Sequence, residues 1–150
     1  MTEKPGLGNE KAAKLAAYFH EAGIDCFDCR DSGDELQTVL FRTQLTVEEQ
    51  HLPLLVVTDS SLYTLIKVRV AANAVNDGNR QAVLEYLNEL NRQYKAFKYS
   101  GSAENDIVLE ICLPATPAAF DPQLVQILID LALRHLREVV PVLSGKIGAA

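Results

Sequence analysis

The run Leu54-Leu55-Val56-Val57-Thr58-Asp59-Ser60-Ser61-Leu62-Tyr63-Thr64-Leu65-Ile66-Lys67-Val68-Arg69-Val70-Ala71 decides the fold class. Leu54 to Thr58 and Tyr63 to Ala71 are rich in apolar and β-branched residues, and Asp59-Ser60-Ser61 supplies turn chemistry between them. The two segments therefore read as a hairpin. Leu54 to Thr58 is apolar on both faces, which places it inside a sheet. Upstream, Leu36 to Leu45 reads as a further strand, and Thr46-Val47-Glu48-Glu49 reads as a capping-box turn linking it to the hairpin. Ile24 to Cys29 reads as a short strand ahead of the polar turn Arg30 to Glu35. Strands at hairpin distance leave no room for the long crossovers that parallel pairing needs. The sheet should be mainly antiparallel and the class α+β.

Helix patterns flank these strands. Asn9 is an N-cap for a helix whose inner face is Ala12, Leu15, Ala16, Phe19 and Ala22, with Gly23 as its left-handed stop. Glu10, Lys11, Lys14 and Glu21 form its outer face. Asn76-Asp77-Gly78-Asn79 starts a second helix lined by Val83, Leu84, Leu87, Leu90 and Tyr94. Ala96 to Ser100 and Ile107 to Leu113 are strands. Asp121-Pro122 then opens a third helix, with Asp as cap and Pro at the first helical position, and Pro141 and Gly145 close it.

The third helix carries more apolar surface than one sheet can cover. Gln126, Asp130, Arg134 and Arg137 fall on a stripe only about 80° wide at 100° per residue, and Glu138 widens it to about 120°. Almost everything else between Leu124 and Val140 is apolar. Either the helix is wedged between sheet and another helix, or a partner buries part of it. The second option predicts a homodimer, with Val125, Ile129, Leu133, Leu136 and Val140 as contacts and Tyr86 and Tyr94 as aromatic anchors. His135 lies within this arc, where a lone histidine is a core residue hydrogen-bonded to backbone more often than a metal ligand or pH switch.

The chain has 150 residues, 48% of them apolar and 23% charged, as one soluble domain spanning 1–150 would have. Segments 1–8 and 144–150 read as mobile tails. The formal net charge of −6 repels a polyanion, which argues against nucleic-acid binding. No segment approaches the roughly 20 apolar residues of a membrane span, and the first residues lack signal-peptide character. Three cysteines do not make a disulfide framework, so the expectation is a reduced, cytoplasmic protein without membrane attachment.

Few residues suggest chemistry. Cys26-Phe27-Asp28-Cys29 has the spacing of a redox or zinc half-site. A structural zinc needs four ligands, however, and Cys112, His20, His51 and His135 are scattered. Asp25, Asp28, Asp31, Asp34 and Glu35 cluster without the flanking helices of a calcium loop and read as a solvated turn. Lys67 and Arg69, at same-face strand spacing with Tyr63 and Leu65, form a modest anionic site or simply exposed sheet polarity. Phosphate loops, nucleophile elbows and zinc-protease motifs are missing from the sequence. No cofactor, metal site or enzymatic activity is expected.

Two segments resemble a known family. Ala82-Val83-Leu84-Glu85-Tyr86-Leu87-Asn88-Glu89-Leu90-Asn91-Arg92 leads into Phe97-Lys98-Tyr99, and Asp106-Ile107-Val108-Leu109-Glu110 leads through Leu113-Pro114 into the long apolar helix. Together they resemble the YbjN-type family of bacterial sensory transduction regulators. The likeness in element order runs from Asn9 to Leu143 and is specific from Ala82 onward. It rests on packing residues, so it transfers no catalytic residue. It implies a fold similar to type III secretion chaperones, commonly dimeric, in the order helix, three strands, helix, two strands, helix. The strand read at Ile24 to Cys29 is additional to that order. The expected function is a non-enzymatic homodimeric module that binds a second protein in a regulatory or chaperone-like role. The alternative is a thiol- or metal-responsive sensor using Cys26 and Cys29.

Overall fold

In the computed structural model, which describes residues 8–148, Asn9 caps the first helix by accepting a hydrogen bond from the Ala12 amide at 2.8 Å. Helix α1 spans Glu10–Glu21, and Gly23 follows at φ +69°. The Ile24 amide donates back to the Phe19 carbonyl, and Phe27 stacks on Phe19 with ring centroids 4.3 Å apart. Residues 24–27 are thus pinned to the end of α1. Strand β1 is Asp28–Asp31 rather than the predicted Ile24 to Cys29.

Strands β2 (Val39–Val47) and β3 (Gln50–Thr58) form a longer hairpin than expected. Glu48 and Glu49 are not a capping box. At φ 50° and 63° they are the two central residues of a tight hairpin turn. Glutamate is poorly suited to left-handed backbone, where Asn-Gly is preferred. Replacing Glu48-Glu49 with Asn-Gly should raise stability by about 1 kcal/mol in urea denaturation, and an unchanged midpoint would refute the strain.

Strand β4 is Tyr63–Ala71, helix α2 Arg80–Gln93, strand β5 Lys98–Gly101, strand β6 Ile107–Pro114 and helix α3 Pro122–Gly148. The strands form one antiparallel sheet in the order β1-β2-β3-β4-β6-β5. The α+β class and antiparallel sheet stand as read. Four strands precede α2, one more than the three that the family resemblance implies. The ladder between β3 and β4 runs from Leu54 to Val57 and stops where Pro53, without an N–H, cannot extend it.

Alternate strand residues point into one core, among them Val39, Phe41, Leu54, Val56, Ile66, Val68, Leu109 and Ile111. The helices supply Leu15 and Phe19, Val83 and Leu87, and Val125, Ile129 and Leu136 to the same cluster. Helix α3 lies against β2 and β4 and between α1 and α2, so the wedged arrangement is the one adopted.

Two further expectations change. Lys11 is fully buried rather than on the outer face of α1. Its ammonium donates to the Tyr63 carbonyl at 3.0 Å and the Thr64 hydroxyl at 3.2 Å, tying α1 to the start of β4. Desolvation lowers its pKa, and the Asp59 and Cys112 charges oppose that shift. Helix α3 continues through Pro141 and Gly145 to Gly148. Pro141 deprives the Arg137 carbonyl of its helical partner, but both residues are exposed, so water can satisfy it while buried Val139, Val140 and Leu143 hold the helix down. Residues 144–148 are therefore helical, not a tail. Asn79 ties this end to the start of α2 by donating to the Ile147 carbonyl at 3.1 Å and the Ala74 carbonyl at 2.8 Å. Gly8 is packed as well, since a Cβ there would meet Asp31 and Gln37 at 3.2 Å. The rest of the predicted tails, 1–7 and 149–150, lies outside the described residues.

Candidate functional site

Because the helices pack on one face of the sheet, the outward residues of each strand form a second face. Register fixes its rows. Arg30, Leu40, Val57, Leu65 and Cys112 lie across β1, β2, β3, β4 and β6. Asp28, Arg42, Leu55, Lys67, Glu110 and Lys98 form the next row, which reaches β5. Beyond it lie Gln44 with Pro53, and Arg69 with Val108. Leu40, Leu55, Val57, Leu65 and Val108 are half-buried by their neighbours alone. An interior strand such as β3, with period-2 geometry, sends Leu55 and Val57 outward whatever their chemistry.

A groove of about 840 Å³ runs over the second and third rows, lined chiefly by Arg42, Pro53, Leu55, Lys67, Arg69 and Val108, with Asp28 and His51 at its margins. Lys67 is 3.6 Å from Glu110. Among the described residues, no carboxylate lies within salt-bridge distance of Arg42 or Arg69. The site read from Lys67 and Arg69 thus gains Arg42 and an apolar floor. The legible signal was the outward apolar parity of β3. What hid it was that the pairing of Arg42 with Leu55 and of Leu55 with Lys67 exists only in the register.

The residues expected at a partner surface are divided by the fold. Val125 (0% exposed), Ile129 (5%), Leu136 (0%) and Val140 (3%) are core residues of the chain itself, so they are not partner contacts. Helical geometry put them on the apolar arc, and α3 turns that part of the arc inward. Leu133, Tyr86 and Tyr94 are half-buried. What α3 exposes instead is Leu124 (39%), Ile127 (46%), Leu131 (44%) and Val142 (47%). At 100° per residue these four fall within a stripe about 60° wide.

His135 is a core residue whose Nε2 shares a 2.7 Å hydrogen bond with the Tyr99 hydroxyl, not with backbone. Tyr94 and Phe97 pack on its ring, each with centroids 4.4 Å away. Burial pushes its pKa down to about 4 and raises that of Tyr99. Tyr94 meets His135 edge-on, with an interplanar angle of 70°. Burial raises the pKa of half-buried Tyr86 as well.

Cys26, Cys29 and Cys112 are exposed thiols. Cys26 sits at the mouth of the groove, just before β1, and Cys29 lies in β1 opposite Phe41. Among the described residues, no group of three His, Cys, Asp or Glu side chains is arranged to hold a metal. Asp34 is engaged locally: its carboxylate accepts from the Thr38 amide and hydroxyl, each at 2.7 Å, which lowers its pKa. No helix among the described residues is long and apolar enough to cross a membrane.

The YbjN family model, described as "Putative bacterial sensory transduction regulator", matches residues 12–144. No curated protein matches the chain.

Proposed function

This chain belongs to the YbjN family, and from that premise we propose a non-enzymatic protein-binding module that works as a homodimer in a regulatory or chaperone-like role. The observation that carries the reading is the sheet face that no helix among the described residues covers, where apolar side chains sit in rows between arginines without an ion pair there. Such a surface suits an extended polypeptide, whose alternate side chains meet alternate rows. The strongly shifted titrating groups, Tyr99 and His135, are occupied in packing the core rather than facing this groove.

A second copy fits the exposed stripe of α3. An antiparallel two-fold centred on residue 136 sets Leu131 beside the second copy's Val142 and Arg134 opposite its Glu138. The two-fold repeats each contact. Among the described residues, Arg134 and Glu138 make no ion pair within the chain, so both are available. Leu131→Glu should give a monomer by light scattering with an unchanged far-ultraviolet spectrum. Arg134→Glu should weaken the dimer, and adding Glu138→Arg should restore it. A Leu131→Glu protein with the wild-type mass would overturn this interface, as would a wild-type protein that is monomeric at high concentration. Protein binding is tested separately on the sheet face.

A further inference from the structure

We propose that the open sheet face binds an acidic, extended polypeptide segment, with Arg42 and Arg69 as its charged anchors and Leu55, Pro53 and Val108 as its apolar floor. The proposal deepens the protein-binding reading and rests on it, because it names the chemistry of the partner.

Charge distribution supplies the argument. The chain carries 20 Asp and Glu against 14 Lys and Arg. The charged residues lining the groove nevertheless include Arg42, Lys67 and Arg69 against Asp28 alone. Lys67 is already engaged by Glu110, which leaves Arg42 and Arg69 without an ion pair among the described residues. Both are exposed, so a carboxylate can reach either without displacing packed structure. Arginine pairs with carboxylate through two parallel N–H donors, so its recognition is geometric as well as electrostatic.

Spacing supports an extended ligand. Register sets Arg42 and Arg69 two strands and one row apart, roughly 12 Å from backbone to backbone. Carboxylates four residues apart in an extended peptide span roughly 13 Å, and an alternating pattern supplies them. The intervening side chains then lie over Leu55 and Pro53 on β3, with Val108 just beyond Arg69, and can be apolar. A nucleic acid carries denser charge, which the chain's overall −6 repels, and it has no use for an aliphatic floor.

The test uses three fluorescent peptides of equal length: alternating Leu and Glu, alternating Leu and Lys, and alternating Ser and Glu. Binding to the full chain is followed by anisotropy and mapped by amide chemical shifts. The Leu-Glu peptide should bind best, weaken with salt, and shift the amides of β2, β3 and β4. Arg42→Glu with Arg69→Glu should weaken it by about tenfold or more while leaving the thermal midpoint unchanged. The acidic preference is overturned if Leu-Lys binds as well as Leu-Glu, or if the double variant binds like wild type. It is also overturned if millimolar citrate displaces the peptide completely, which makes the groove a small-anion site, or if a single-stranded oligonucleotide binds more tightly. A Leu-Lys peptide that binds as well as Leu-Glu and shifts the same amides would preserve protein binding and remove only the acidic preference. No shift on this face with any peptide would remove both.

Discussion

Ile129→Glu should leave little folded protein, whereas Leu131→Glu, two residues further along the same helix, should fold normally. Ile129 is 5% exposed in the core, and Leu131 is 44% exposed on the outer stripe of α3. A carboxylate placed at 129 must be buried in the apolar cluster that holds Val125 and Ala132 or force the helix away. The expected loss is about 4 kcal/mol or more, a large share of the stability of a domain this size. At 131 the same carboxylate reaches water and should change stability by about 0.5 kcal/mol or less. Urea denaturation followed by circular dichroism separates the two. Equal midpoints would mean that α3 is seated differently from its place between α1 and α2. The contrast also divides folding from assembly, since only the outer variant reports on the dimer.

Acidification should expose His135 as the main pH-dependent weakness of the core. The folded pKa is held down to about 4 by burial, while the unfolded chain has an ordinary imidazole near 6.5. Between those values the unfolded state binds one more proton, so stability falls as pH falls. It is fully present above about pH 6.5 and drains at roughly 1.4 kcal/mol per pH unit, to a total of about 3 kcal/mol near pH 4. His135→Gln keeps an amide beside the Tyr99 hydroxyl and cannot titrate in this range. Its stability should be flatter than that of wild type over the same window. Carboxylates titrate in both proteins, so the difference between the two curves is the measurement. Parallel curves from pH 7 to pH 4 would exclude the histidine as the cause.

The two results bear on different parts of what could be read in advance. Helix α1 and its Asn9 cap, the buried Val83, Leu87 and Leu90 of α2, the Asp121-Pro122 start of α3 and the antiparallel sheet all follow from local signals: periodicity, capping chemistry and turn composition. Leu84, read on the same face of α2, is instead exposed, because it lies at the edge of that face. Each of these acts within a few residues, so a linear reading finds it. Lys11 shows where that fails. On the helix wheel it belongs to the polar side, and only the seating of α1 against Tyr63 and Thr64 closes the core around its ammonium. Pro141 shows the same limit from the other side, because a breaker in sequence becomes tolerable once packing holds the helix and water meets the free carbonyl.

The sequence by itself determined the class, the helices and the surplus of apolar surface on α3, because composition and periodicity measure how much must be buried. The tertiary structure decided which part of that surplus is buried. Val125, Ile129, Leu136 and Val140 turn toward the sheet, leaving Leu124, Ile127, Leu131 and Val142 outside. It also assembled the groove, since Arg42, Leu55 and Lys67 lie on three strands and become neighbours only through register. The physical reason is one of range. Amphipathicity fixes how wide an apolar arc is, but its orientation is set by contacts between elements far apart in the chain.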